Sequence, residues 1–393
     1  MTGRRAAPWR VQTRYGAGAV DRVPELVARL GGRRVLLVCG GRSFEASGAA
    51  RILPELERVA AVRRWSGFAP NPDAADLWRG LEVAAGFGPD LVLGVGGGSA
   101  LDLAKLLCAF GGGAAGRPAR VADEAGLRAA IRSGERIARR ATRLVLVPTT
   151  AGSGSEATHF AVVYLGEEKF SVAGPALRPD AVVLDPALTT SGSRYQRASS
   201  GIDAVAQAIE SLWAVGATAA SRRWARHALR LLLPAIEPFV HAPDDRCARA
   251  MVVGSHLAGR AIDISRTTGA HALSYAITKR YGVSHGHAVA LTLGAFIEAH
   301  DDPDPRRLRV DRGVHAQAMA EIRRRLGAPD GPAARAAFEA LVRRLGLEPS
   351  LSAVGARGPA ARAALAAAAN PERLGNNPVA FTADELAGLL PAT

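Results

Sequence analysis

Asp203 and Gln207 stand four residues apart, and so do His271 and Tyr275, so on a helix each pair shares one face. His285 follows His271 by fourteen residues, behind the turn-like Tyr281-Gly282-Val283-Ser284, and His287 lies just past Gly286. A carboxylate and two imidazoles brought together would offer donors suited to Zn2+ or Fe2+. Taken singly, each of these residues is better explained as helix surface or packing, and His256 and His300 are read as such bystanders.

Two further segments could hold a nucleotide. Leu93-Gly-Val-Gly-Gly-Gly-Ser99 reads as a buried strand ending in Gly96-Gly97-Gly98-Ser99, with a helix beginning at once. Glycines there let backbone N–H groups approach a diphosphate, and a helix N-terminus adds partial positive charge. The run departs from G-x-G-x-x-G, since Ser99 takes the last glycine's place. Pro148-Thr-Thr-Ala-Gly-Ser-Gly-Ser-Glu156 also follows a strand and packs four hydroxyls and two glycines into nine residues. Such a loop can wrap a ribose or phosphate, and two such loops at strand ends point to a nucleotide crevice.

The elements that must position these groups fall into two textures. Arg34–Cys39, Asp90–Val95, Arg143–Val147 and Ala181–Leu184 read as buried strands, separated by helical patterns such as Val23–Leu30 and Asp73–Ala85. This predicts a Rossmann-like parallel sheet covered on both faces, with a hairpin from Phe160–Tyr164 and Lys169–Val172 inserted in it. After Thr189–Ser193 strand signals nearly vanish and helical periodicity dominates. The expected organisation is an α/β dinucleotide-binding domain over residues 1–188 and an all-α metal and substrate domain over residues 189–393.

Composition narrows the function classes. The 393 residues are 48% hydrophobic and 22% charged, enough for a large core. The formal charge is +14, but the basic residues are arginines scattered through alanine-rich stretches, with only Lys105, Lys169 and Lys279 as lysines. No basic run alternates with aromatics, so a nucleic-acid partner is not expected, whereas small anionic ligands are favoured by the field. Cys39, Cys108 and Cys247 form no disulfide framework, the first residues carry no apolar signal segment, and no long apolar run offers a membrane span. A cytoplasmic homodimer without a membrane partner is expected.

In chain order, Gly96-Gly-Gly-Ser-Ala-Leu-Asp-Leu-Ala-Lys105, Pro148–Glu156, Gly201-Ile-Asp-Ala-Val205, His271-Ala-Leu273 and Tyr281–Gly286 resemble the iron-containing (group III) alcohol dehydrogenase family. The likeness runs nearly the whole chain, to Asn376-Asn377-Pro378 and Thr382–Leu390. It implies an oxidoreductase with an N-terminal dinucleotide domain, a helical metal domain and a catalytic cleft between them. By position it implies Asp203, His271 and His285 as ligands of one divalent metal, Fe2+ or Zn2+. Gln207 stands where the family usually has a fourth ligand, a histidine, and Tyr275 where many members place a histidine near the substrate. An amide oxygen is a weaker donor than imidazole. Ser265–Thr278, Tyr281–Thr292, Glu156–Tyr164 and Lys169–Val172 resemble the phosphonoacetaldehyde reductase branch. That implies reduction of phosphonoacetaldehyde to 2-hydroxyethylphosphonate in phosphonate biosynthesis.

The same resemblance implies a cofactor diphosphate over Gly97, Gly98 and Ser99, with Thr149, Thr150, Ser153 and Ser155 on ribose and diphosphate, Lys169 on the ribose and Asn71 beside the adenosine. NAD-preferring members tend to carry an acid just after the first long strand. Here Gly40 takes that place, followed by Gly41 and Arg42, so NADPH and NADH are both admitted. Tyr275 or His287 is the candidate proton donor. Arg266, five residues before His271, is the candidate anchor of an anionic aldehyde. The competing readings are a metal-independent maleylacetate-reductase-like enzyme, a general short-chain alcohol dehydrogenase, a dehydroquinate-synthase-like lyase and a non-catalytic nucleotide-binding module.

Overall fold

A computed structural model describes residues 11–112, 120–166 and 168–390. The chain divides into two compact units. The first runs to Pro148 and adds His159–Val163 and Ser171–Asp185; the second comprises Thr149–Thr158, Tyr164–Phe170 and everything from Pro186 onward. The expected division near residue 188 was contiguous. Two short segments instead group with the helical unit, because the hydroxyl-rich loop and the hairpin tip pack on helices rather than on the sheet.

The first unit is built on β1 (Gln12–Tyr15), β2 (Arg34–Cys39), β3 (Ala61–Trp65), β4 (Leu91–Gly96), β5 (Arg143–Pro148) and β8 (Ala181–Leu184), with β6 (Phe160–Leu165) and β7 (Glu168–Ala173) as a separate two-stranded sheet. The six strands lie in the order β1-β8-β5-β4-β2-β3, and every pairing is parallel. β4 is buried at all six positions, as a strand covered on both faces must be. β1 and β3 did not stand out in the sequence. They are the two sheet edges, and their exposed residues break the apolar run that marks a buried strand.

Helices α1 (Val23–Arg29), α2 (Gly41–Ala46), α3 (Leu53–Val59), α4 (Ala74–Phe87), α5 (Gly98–Phe110) and α6 (Glu124–Ser133) accompany these strands. A Cβ on Gly94 would meet the Ala104 side chain at 2.7 Å, so a glycine in β4 lets α5 lie close against the sheet. From β2 the chain runs to β3 on one side, while from β4 it runs to β5 on the other. The switch point of the sheet therefore lies between β2 and β4.

In the second unit α7 (Arg194–Trp213), α8 (Ala219–His241), α9 (Asp245–Ser265), α10 (Gly269–Tyr281) and α11 (His285–Ala299) form the core, followed by helices that continue to Leu389. α7 opens on a capping box between Ser193 and Gln196, which starts it eight residues before the periodic segment visible in the sequence. From Ile202 to Trp213 every α7 residue is buried. Among the described residues no helix is long and apolar enough to cross a membrane. All three cysteines are buried and unpaired by disulfide.

Candidate active site

In the first unit, the ends of β2 and β4 meet at the switch point. Gly40 caps α2 and Gly97 caps α5, so two helix N-termini open beside each other there. A Cβ on Gly96, whose φ is +156°, would stand 2.7 Å from the Ala100 side chain and 3.9 Å from the Gly40 nitrogen. Asn71 sits in the left-handed region at φ +57°, and its N–H donates to the Ser99 hydroxyl at 3.1 Å. The structure thus gathers Gly40, Asn71, Gly97, Gly98 and Ser99 at one place, with N–H groups of α5's first turn suited to a diphosphate. Asp102 and Lys105, from the same motif, hold the hairpin: Val162 N–H donates to Asp102 and Lys105 Nζ donates to the Phe160 carbonyl at 2.8 Å.

The hydroxyl-rich loop belongs to the second unit. A Cβ on Gly152 would meet the Ser200 carbonyl at 2.5 Å, and one on Gly154 would meet Gly259 Cα at 2.5 Å. These glycines therefore let the loop lie directly on α7 and α9, a packing reason beyond any approach to phosphate. Thr149 and Ser155 are buried, Thr150 and Ser153 partly so. Glu156 is buried against His256, 3.1 Å from its Nδ1, so His256 is a partner in packing as expected.

Asp203 on α7, His271 on α10 and His285 at the first position of α11 come together, with one donor atom from each within 4.8 Å of the others. Asp203 Oδ1 lies 3.3 Å from His271 Nε2. Behind the ring, Glu210 Oε2 lies 2.5 Å from His271 Nδ1. Glu210 is fully buried and also accepts N–H bonds from Thr268, Ala270 and His271, so one carboxylate both caps α10 and fixes the ring. Burial disfavours the charged imidazole, but the two carboxylates outweigh it and lift His271 to about 10. Burial and the Lys169 ammonium instead push His285 well below its ordinary range, leaving it neutral.

Gln207, one turn beyond Asp203, donates through Nε2 to the Ser153 carbonyl at 3.2 Å and to Asp203 Oδ2 at 3.0 Å. Its Oε1 is buried with no hydrogen-bond partner. A carboxylate, two imidazoles and an uncommitted amide oxygen, all oxygen or nitrogen donors, fit a divalent cation such as Fe2+ or Zn2+.

Tyr275 stacks beside His285, with ring centroids 5.9 Å apart, and Lys169 Nζ stands 4.0 Å from the Tyr275 centroid. Arg373 acts electrostatically on the Tyr275 phenol. Burial would raise the phenol, yet Lys169, Arg373 and His271 bring it below its ordinary value. His287 is engaged elsewhere. Its Nε2 donates to the Glu348 carbonyl at 2.8 Å, so Nδ1 accepts from the Tyr195 hydroxyl at 3.2 Å. Of the two proton-donor candidates, Tyr275 is the one that adjoins the trio. Arg266 caps α9 at φ +61° and ψ 178°, a backbone region that non-glycine residues rarely enter. It and Asn71 are the two non-glycine residues with positive φ among those described.

Glu210 and Arg373 escaped the sequence reading. Glu210 had a signal, since it continues the Asp203–Gln207 face of α7 at i+7. Arg373 had none: it sits in the five-residue helix Pro371–Gly375, remote in sequence from Tyr275, on whose phenol it acts.

The family model described as iron-containing alcohol dehydrogenase matches residues 11–186, and that of the C-terminal part of Fe-containing alcohol dehydrogenases matches residues 197–393. A phosphonoacetaldehyde reductase of Streptomyces viridochromogenes is 37% identical over 228 residues, covering 55% of this chain. The chain spans about half the length of that relative, 56%. Long-chain-alcohol dehydrogenase 1 of Geobacillus thermodenitrificans is 32% identical over 281 residues, covering 71% of this chain and 69% of its own. Among solved structures, a sulfoacetaldehyde reductase from Bifidobacterium kashiwanohense in complex with NAD+ matches with a TM-score of 0.82 at 26% identity, over 99% of this chain and 98% of that one.

Proposed function

The chain belongs to the iron-containing alcohol dehydrogenase family of oxidoreductases, and on that premise we propose that it reduces a small anionic aldehyde to the primary alcohol with a nicotinamide cofactor. Phosphonoacetaldehyde, giving 2-hydroxyethylphosphonate, is the substrate of this reading. The observation that carries it is the Asp203–His271–His285 trio, buried at its first two members, with Lys169, Tyr275 and Arg373 beside it: metal donors adjoining fixed cations. Support for the charged two-carbon substrate comes from the phosphonoacetaldehyde reductase and sulfoacetaldehyde reductase relatives, whose named substrates share an anionic tail.

The chain's own residues divide the work. The turn at Gly97, Gly98 and Ser99, with Gly40 and Asn71, receives the cofactor's adenosine and diphosphate, and Thr149, Thr150, Ser153 and Ser155 with Lys169 serve its ribose and diphosphate side. A bound reduced nicotinamide would supply the hydride. Asp203, His271, His285 and the Gln207 oxygen would hold a divalent metal, which when bound would supply Lewis acidity toward the carbonyl oxygen. Tyr275 donates the proton that completes the alcohol, its acidity raised by Lys169 and Arg373. Arg266 is a candidate for the substrate's charged end. Arg42, exposed at the start of α2, makes NADPH as acceptable as NADH.

The test measures bound metal in the purified protein and follows NADH and NADPH oxidation with phosphonoacetaldehyde, sulfoacetaldehyde and propanal. Turnover of propanal at least equal to that of both charged aldehydes would refute the anionic-substrate reading. A metal-independent reaction of the maleylacetate reductase kind is the second reading, favoured by Gln207 in the usual histidine's place. Full activity in metal-stripped protein would establish it.

A further inference from the structure

Arg373 is 5% exposed, yet its charge is spent on no buried carboxylate in direct contact. Its Nη1 pairs at 3.1 Å with Glu372, a residue whose side chain is 64% exposed. Its place is fixed by backbone. Asn370 N–H donates to the Ala272 carbonyl on α10, and the Asn370 side chain accepts from Arg373 N–H, capping the short helix. That docking brings the guanidinium within electrostatic reach of Tyr275, one turn further along α10. A guanidinium carries five N–H donors, and the pair with Glu372 uses only part of them.

Lys169 approaches the same tyrosine from the hairpin, 4.0 Å from its ring centroid. In a chain where nearly all basic residues are arginine, this is one of three lysines. The buried carboxylates of the cluster, Asp203 and Glu210, are matched in number by Lys169 and Arg373. A divalent cation held by the trio would add two positive charges to this balance. Burying such an excess is costly unless a ligand neutralises it.

We propose that Arg373 forms the subsite that receives the doubly ionised tail of the aldehyde, beside Tyr275 and the metal trio. This rests on the anionic-aldehyde reading above and moves recognition of the charged tail from Arg266 to Arg373. The planar fork of Arg373 suits two oxygens of a phosphonate.

The experiment compares wild type with Arg373→Gln and Arg373→Lys on phosphonoacetaldehyde and propanal, after checking circular dichroism and metal content. Methylphosphonate, which has the tail but no carbonyl, is titrated calorimetrically into the same as-purified proteins. Arg373→Gln is expected to lose about 100-fold in kcat/KM for phosphonoacetaldehyde, mainly through KM, with propanal changed less than about threefold. Methylphosphonate binding should disappear with it, and Arg373→Lys should recover part of both. Equal losses on the two aldehydes, or undiminished methylphosphonate binding in Arg373→Gln, would overturn the assignment. So would selective loss of phosphonoacetaldehyde turnover in Arg266→Ala while Arg373→Gln stays normal. If wild type shows no preference for the charged aldehyde, the substrate reading fails. Methylphosphonate bound by wild type and not by Arg373→Gln would then still support the subsite, and no binding by either would end it.

Discussion

Glu210 Oε2 lies 2.5 Å from His271 Nδ1, on the side of the ring opposite the nitrogen that faces Asp203. The carboxylate thereby selects which imidazole nitrogen is left for a metal, as outer partners of ligating histidines commonly do. Glu210→Gln keeps the shape and removes the charge. It should lower metal affinity about 10- to 100-fold, read by competition with a chromophoric chelator. Because Glu210 also takes N–H bonds from Thr268, Ala270 and His271, a stability loss of about 1–3 kcal/mol is expected in denaturant titration. A stability loss with metal affinity unchanged would reduce Glu210 to a helix cap.

The same pairing sets a pH dependence. In metal-free protein His271 is raised from 6.5 to about 10, so it carries a proton at neutral pH. A raised folded-state value means that the charged ring contributes stability below pH 6.5, and that this contribution is lost as pH rises through about 10. Metal must displace that proton, so apparent affinity should rise up to about tenfold per pH unit below the His271 value. Calorimetry in buffers of different ionisation enthalpy should find about one proton released per metal near pH 8. Affinity that is flat from pH 6 to 9 would show that His271 is not protonated in the metal-free state.

Gln207→His tests whether the amide position is a metal ligand. Imidazole is the stronger donor for Zn2+ and Fe2+, so the variant should retain metal through dialysis against chelator that strips the wild type. Gln207→Leu, which keeps the volume and removes the donor, should retain less metal than wild type. Equal retention in all three proteins would leave Gln207 with only its bonds to Ser153 and Asp203.

Much of this arrangement was legible in the residues, for identifiable reasons. The buried strands β2, β4, β5 and β8 announced themselves because a strand covered on both faces is apolar throughout. β1 and β3 did not, because edge strands keep polar and charged residues. The trio was visible as residue types at helical spacing, but spacing could not say whether α7, α10 and the start of α11 converge. Glu210 was readable as an extension of the Asp203 face. Arg373 was not, since nothing local marks a residue that acts on Tyr275, about a hundred positions away on α10. The glycines of the 148–156 loop were read as room for phosphate, and their contacts with α7 and α9 show a packing demand that sequence alone does not distinguish.

That packing demand gives the last expectation. Gly154 has φ +60°, and a Cβ there would meet Gly259 Cα at 2.5 Å; a Cβ on Gly259 would meet the Gly154 carbonyl at 2.5 Å. Backbone stands against backbone, so neither side can yield by rotating a side chain. Gly154→Ala should cost about 2–4 kcal/mol, combining left-handed strain with overpacking. The loop must then lift from α9, and the Ser153 carbonyl, which holds Gln207 Nε2 at 3.2 Å, moves with it. Metal retention should therefore fall along with the melting temperature. Gly259→Ala should do the same from the other side of the contact. A lowered melting temperature with metal retention intact in both variants would show that the loop does not hold Gln207 in its place.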